Sequence, residues 1–130
     1  MIGVLLDTSA YSAFVREHPR VRQTLAGVEA VFISVVTFGE LLAGYHHGTR
    51  FERNVQELQE FLDNEGARIL PVDKVTAERY GLIHHFLRKA GTPVSPNDLW
   101  IAATAMQYGL KVLTTDRDFQ KIPQILIELF

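Results

Sequence analysis

Apolar positions along the chain gather in short unbroken runs. These alternate with stretches in which they recur every three or four residues, the periods of buried strands and of helices. Ile2-Gly3-Val4-Leu5-Leu6 is such a run, and it stops at Asp7-Thr8-Ser9, residue types that favour the first positions of a helix. A buried strand leading into a helix is predicted there. Val31-Phe32-Ile33 repeats the arrangement, with Ser34 as the cap and an apolar stripe at Phe38, Leu41, Leu42 and Tyr45 behind it. Residues 49–65 read as a charged amphipathic helix with Phe51, Val55, Leu58 and Leu62 on its apolar side and Gly66 as its stop. A third strand is predicted over residues 68–72, closing at Pro71. Asp73 then caps a long helix whose inward side carries Thr76, Tyr80, Ile83, Phe86, Leu87 and Ala90, ended by Gly91 and Pro93. Pro96-Asn97-Asp98 opens an apolar helix over residues 99–108, which Gly109 ends. A fourth strand is predicted over residues 112–115 and a fifth over residues 124–129.

Short, continuously apolar strands alternating with helices are the pattern of a parallel sheet covered on both faces. The predicted fold class is therefore α/β: a three-layer α/β/α domain around a central, mainly parallel sheet of about five short strands, with residues 1–130 as one domain. A length of 130 residues suits a single domain, and 47% hydrophobic residues supply its core. Cysteine is absent, which excludes disulfides, a thiolate nucleophile and Cys-ligated zinc, and points to a reducing compartment, the cytoplasm. No apolar run approaches the roughly 18 residues of a membrane span, and the first run is too short and lacks the basic flank of a secretory signal. With 13 Lys and Arg against 15 Asp and Glu, the chain is not a broadly basic nucleic-acid binder.

Ligands of an open parallel sheet bind beyond the carboxyl ends of its strands, so the strand-to-helix junctions are the places to look for chemistry. Asp7 ends the first predicted strand, and Asp116 follows the fourth in Leu113-Thr114-Thr115-Asp116-Arg117-Asp118-Phe119. Glu40 lies two turns into the helix after the second, and Asp98 sits at the mouth of another helix. Four acids are thus predicted to converge on one edge. Each alone has a purely structural reading: Asp7 and Asp98 as helix caps or first-turn acids, Thr37 with Glu40 as a capping box, Asp116 or Asp118 as turn residues before Phe119. The set carries more weight than its members. The side of the helix that bears Glu40 holds Val36, Ala43, Gly44 and His47 rather than the long charged chains of a solvated face, which leaves room for close approach.

Gathered carboxylates raise one another's pKa and destabilise a fold unless a cation neutralises them. Oxygen ligands without Cys or a His-x-x-x-His pair select a hard ion, Mg²⁺ or Mn²⁺, over zinc. The implied chemistry is hydrolysis of a phosphodiester by a water that the cation acidifies and orients, with no protein nucleophile required.

Four segments carry a resemblance: Leu5-Leu6-Asp7-Thr8-Ser9, Ile33-Ser34-Val35-Val36-Thr37-Phe38-Gly39-Glu40-Leu41, Asn97-Asp98-Leu99-Trp100-Ile101-Ala102-Ala103 and the segment around Asp116. Together, in this order, they resemble the PIN-domain family, and the short single-domain format is similar to the VapC-type toxins of prokaryotic toxin–antitoxin pairs. The resemblance implies a divalent-metal-dependent ribonuclease acting on tRNA, rRNA or mRNA. It also implies a homodimer and silencing by a small VapB-type antitoxin, in a binary or higher complex. Position by position, it makes Asp7, Glu40 and Asp98 metal-binding acids and Asp116 the fourth, with Asp118 its nearest competitor and preferred as a turn or helix-start residue before Phe119. Thr8 and either Thr114 or Thr115 match hydroxyl positions that orient the acids or hold a metal-bound water. The alternatives are a housekeeping PIN nuclease that matures RNA and a binding module whose acids hold no metal.

The remaining candidates weaken on inspection. His46-His47 and His84-His85 are adjacent on helices, so each pair points about 100° apart and chelates one ion poorly. Trp100, Phe14, Phe61, Phe86 and Phe119 fall at helical spacings that suit core or dimer packing better than base stacking. Arg16, Arg20, Arg22, Arg50, Arg53, Arg88 and Lys89 read as solvated charge, whereas Arg117, beside Asp116, is placed to meet a phosphate. Phe51, Val55 and Tyr45 are the predicted antitoxin contacts. With the four acids set aside, the 13 basic residues outnumber the acids that remain, so the net charge of -2 reflects a concentrated acidic site on a mildly basic body.

Overall fold

The computed structural model describes residues 3–130, so Ile2, predicted to open the first strand, lies outside the described residues. In chain order the elements are β1 (Gly3–Leu6), α1 (Thr8–Val15), α2 (Pro19–Ala26), β2 (Ala30–Ser34), α3 (Val35–His47) and α4 (Phe51–Glu65). They continue as β3 (Arg68–Leu70), α5 (Lys74–Ala90), α6 (Pro96–Tyr108), β4 (Lys111–Thr114), a 3-10 turn (Arg117–Lys121) and β5 (Ile127–Leu129). The five strands form one sheet in the order β3-β2-β1-β4-β5, with every pairing parallel. The chain winds outward from β1 through β2 to β3, then returns to the other side of β1 for β4 and β5. The reversal falls between β1 and β4, which makes their carboxyl ends the crevice where a ligand fits.

Alternate residues of the strands feed the two faces of the sheet. Val4, Leu6, Val31, Ile33 and Leu113 pack with Ala10 and Tyr11 of α1, Leu25 of α2, Leu41 of α3 and Leu58 and Phe61 of α4. Leu5 and Val112 face the other way, onto Ile83 and Leu87 of α5 and Leu99, Ile101, Ala102 and Ala105 of α6. Both faces are covered, which is why β1 reads as an unbroken apolar run and not as an alternation.

Several predicted boundaries shift by one to three residues. The helix expected from residue 49 starts at Phe51. The third strand stops at Leu70, because Pro71 has no N–H to extend the ladder. The fourth is Lys111–Thr114, and the fifth keeps only Ile127–Leu129 of its predicted span. The helix Pro19–Ala26 was not anticipated. Its signals were there to read: Pro19 at the first helical position, His18 as the cap whose Nδ1 accepts from the Val21 N–H at 3.4 Å, and Gly27 after its end. In α5, Thr76, Ile83 and Leu87 are buried as predicted, but Phe86 and Ala90 are exposed. Phe86 precedes Leu87 by one residue, about 100° around the helix, which carries it off the inward stripe, so it is not a core residue. Ala90 is the last residue of α5, and Gly91 turns the chain away with φ 70°.

Candidate metal centre

Asp7 leaves β1 at the sheet's switch point and is only 3% exposed. Its Oδ1 accepts from the Ala10 N–H at 2.8 Å and the Ser9 hydroxyl at 2.7 Å, and its Oδ2 accepts from the Thr114 hydroxyl at 2.6 Å. The cap of α1 and the candidate site acid are therefore the same carboxylate. Burial pushes its pKa up, against the pull of the three donors. With their protons committed to Asp7, the two hydroxyls act as acceptors elsewhere. Ser9 Oγ receives the Thr115 N–H at 2.9 Å, and Thr114 Oγ1 receives the Asp116 N–H at 2.9 Å. These bonds bind the end of β4 to the start of α1 and set where Asp116 leaves the strand. Of the two threonines that sequence left open, Thr114 is buried against Asp7 and Thr115 is exposed, contributing its backbone.

Glu40 lies on α3, whose N-cap is Ser34, with its Oγ accepting from the Val36 N–H at 3.0 Å. Ser34 and not Thr37 is the cap, and Thr37 is buried in the first turn, so the capping-box reading of Thr37 and Glu40 does not hold. Instead the Thr8 hydroxyl donates to Glu40 Oε1 at 2.8 Å and the Asn97 amide donates to Oε2 at 3.0 Å. Asp98 occupies the first turn of α6, its own N–H held by the Ser95 hydroxyl at 3.2 Å. Its pKa is pushed up to about 6, first by burial and then by the charge of Asp116, with Asp7 and Glu40 adding to the push. The fold thus brings together all four acids that sequence placed at the site.

Asp118 joins them. One carboxylate oxygen from each of Asp98, Asp116 and Asp118 lies within 4.8 Å of the others. Asp118 also keeps the helix-start place expected of it, in the first turn of the 3-10 helix, which Asp116 caps with its Oδ1 accepting from the Asp118 N–H at 2.9 Å. Asp118 also pairs with Lys121 at 3.0 Å. The donor set fits a small hard cation: carboxylate oxygens only, close enough to share one ion and already charged against one another. Sequence reasoning passed over Ser9 and Asn97, although each sits within two residues of a predicted acid. Arg117 is exposed beside Asp116. One histidine of each pair lies against an aromatic ring, His46 on Phe51 at 4.1 Å and His84 on Tyr80 at 6.1 Å between centroids.

This sheet order and acidic crevice define an α/β protein with its candidate site at the switch point, and comparison with known proteins gives its family. The PIN domain family model matches residues 4–125, and the chain belongs to that family. Among curated relatives, the tRNA(fMet)-specific endonuclease VapC of Salmonella typhimurium is 34% identical over 132 residues, covering 98% of both chains. Ribonuclease VapC4 of Mycobacterium tuberculosis is 34% identical over 93 residues, or 72% of each. Among solved structures, DNA-bound VapBC from Salmonella typhimurium superposes with a TM-score of 0.86 at 31% identity and 98% coverage of both chains. FitAcB from Neisseria gonorrhoeae does so with a TM-score of 0.77 at 30% identity and 95% coverage of both.

Proposed function

We propose that this chain is the toxin of a type II toxin–antitoxin pair and acts as a Mg²⁺- or Mn²⁺-dependent endoribonuclease. The reading rests above all on the gathering of carboxylates at the switch point, where oxygens of Asp98, Asp116 and Asp118 lie within 4.8 Å of one another and Asp7 and Glu40 share the crevice. The named activities of the relatives that match along the whole chain support it. Asp7, Glu40, Asp98 and Asp116, with Asp118 beside them, would hold the cation, which when bound would acidify a water and neutralise charge at the scissile phosphodiester. The protein's own part is placement. Thr114 and Ser9 aim Asp7, Thr8 and Asn97 aim Glu40, and the cap of α6 aims Asp98. At neutral pH Asp98 has lost its proton and its charge is turned on the crevice. Arg117 meets a phosphate of the RNA beside the scissile one. Water adds to the scissile phosphorus, the bond to the 3′ oxygen breaks and that oxygen takes up a proton, leaving 5′-phosphate and 3′-hydroxyl ends.

The proposed partner is a VapB-type antitoxin, and the chain pairs with a second copy of itself. Two adjoining grooves of about 270 and 190 Å³ share Tyr11, Val15 and Glu57. They are lined by Phe14 and the nearly buried Phe61 at one end and by Tyr45 at the other, an aromatic trough edged by Glu57 and Glu60 together with Arg16 and Arg22, suited to an apolar segment. Phe51 and Val55 line neither groove, so of the three predicted contacts the reading keeps Tyr45. Among the described residues no helix is long and apolar enough to cross a membrane, and the proposed compartment is the cytoplasm.

Purified protein is expected to cut RNA in Mn²⁺ or Mg²⁺, and to stop in EDTA or with Asp7→Asn. Cleavage that survives either change removes the metal mechanism.

A further inference from the structure

Glu40 lies two turns along a helix, yet it reaches the crevice through two hydrogen bonds. One comes from Thr8, next in sequence to Asp7, and the other from Asn97, next to Asp98. The two donors grip different oxygens, so together they fix the plane of the carboxylate as well as its place. We infer that Asn97 is a positioning residue: its amide ties Glu40 on α3 to the first turn of α6 and holds that carboxylate in register with Asp98. The inference rests on the nuclease reading.

Asn97 is exposed, and an exposed asparagine in the first turn of a helix ordinarily turns its amide to water. Here it spans to a residue 57 positions away. The choice of side chain also has a reason. An ammonium or guanidinium at position 97 would hold Glu40 equally well but cancel the charge that attracts a cation. A carboxylate would add to the repulsion that already lifts the pKa of Asp98. A neutral amide donates without either effect, leaving the second lone pair of Oε2 and its full negative charge for the site. Outer partners of this kind typically contribute 10- to 100-fold in metal affinity or activity.

The test uses the full chain. Mn²⁺ affinity is measured by calorimetry without RNA, kcat and KM for RNA cleavage are measured in excess Mn²⁺, and melting temperature reports the fold. Asn97→Ala is expected to weaken Mn²⁺ binding about 10-fold and to lower kcat while KM and melting temperature hold. Because Asn97 acts through Glu40, the same substitution made on top of Glu40→Ala is expected to change neither quantity further. An unmodified chain that binds Mn²⁺ and cuts RNA, with Asn97→Ala matching it in both, overturns the inference alone. Additive losses in the double variant overturn it as well. An unmodified chain that neither binds Mn²⁺ nor cuts RNA overturns the nuclease reading and takes this inference with it.

Discussion

Asp98 shows what a single residue contributes and costs. Its folded pKa of about 6 lies above the ordinary 3.8, so without metal the fold favours the protonated carboxyl. That contribution to stability is complete below about pH 3.8 and is lost as pH rises through 6. Asp7 is shifted in the same direction. Metal-free protein is therefore expected to melt at progressively lower temperature across this window, and Asp98→Asn should flatten the profile. At pH 7.5 the same variant should be more stable than the unmodified chain by about 1 kcal/mol, after allowing for solvent screening of a half-buried group, while losing Mn²⁺-dependent cleavage. A destabilised Asp98→Asn would show that the carboxylate is not under electrostatic stress. Thr114 poses the reverse case. Replacing it with Val leaves Asp7 Oδ2 and the Asp116 N–H without partners, at a cost of about 2 kcal/mol in chemical denaturation, whereas Thr115→Ala should change stability by less than about 0.5 kcal/mol.

Helix α6 is the element on which the site depends most. Its N-terminus carries Ser95 as the cap, Asn97 and Asp98 in the first turn, and its buried face of Leu99, Ile101, Ala102 and Ala105 lies against α5 and the sheet. The same turn therefore positions a Glu40 donor and a site acid, and its geometry is held by one hydroxyl. Ser95→Ala should cost about 1 kcal/mol of stability and also weaken Mn²⁺ binding, because fraying the turn releases both side chains. If thermal denaturation shows the loss but calorimetry shows unchanged Mn²⁺ affinity, the first turn is held by packing and not by its cap. Periodicity made α3, α4, α5 and α6 visible in the sequence because each has a stripe long enough to declare itself. The eight-residue α2, with only Val21 and Leu25 buried, offers two apolar positions and no such stripe, so it showed only through Pro19 and Gly27. Phe86 misled for a related reason: hydrophobicity marks a residue as apolar, but the angle around the helix decides whether it faces inward.

The whole molecule carries a net charge of -2, and Asp7, Glu40, Asp98, Asp116 and Asp118 gather part of its acidic charge in the crevice. RNA binding is then a local matter, directed by a few basic side chains and opposed elsewhere only weakly. Arg117→Ala should weaken RNA binding and reduce its dependence on salt by about one counterion's share, without changing Mn²⁺ affinity. Equal affinities at two salt concentrations before and after the substitution would remove Arg117 from the interface.

Sequence alone determined the α/β class, the succession of strands and most helices, and the positions of Asp7, Glu40, Asp98 and Asp116, because these follow from local periodicity, capping and strand ends. The tertiary structure decided what no local rule contains. It put β4 beside β1, so that Thr114 reaches Asp7 across 107 positions, and it turned α3 toward α6, so that Asn97 reaches Glu40. It also brought Asp118 to Asp98 and Asp116. A side chain's partner across the fold depends on how elements pack, and packing is settled by the whole core at once.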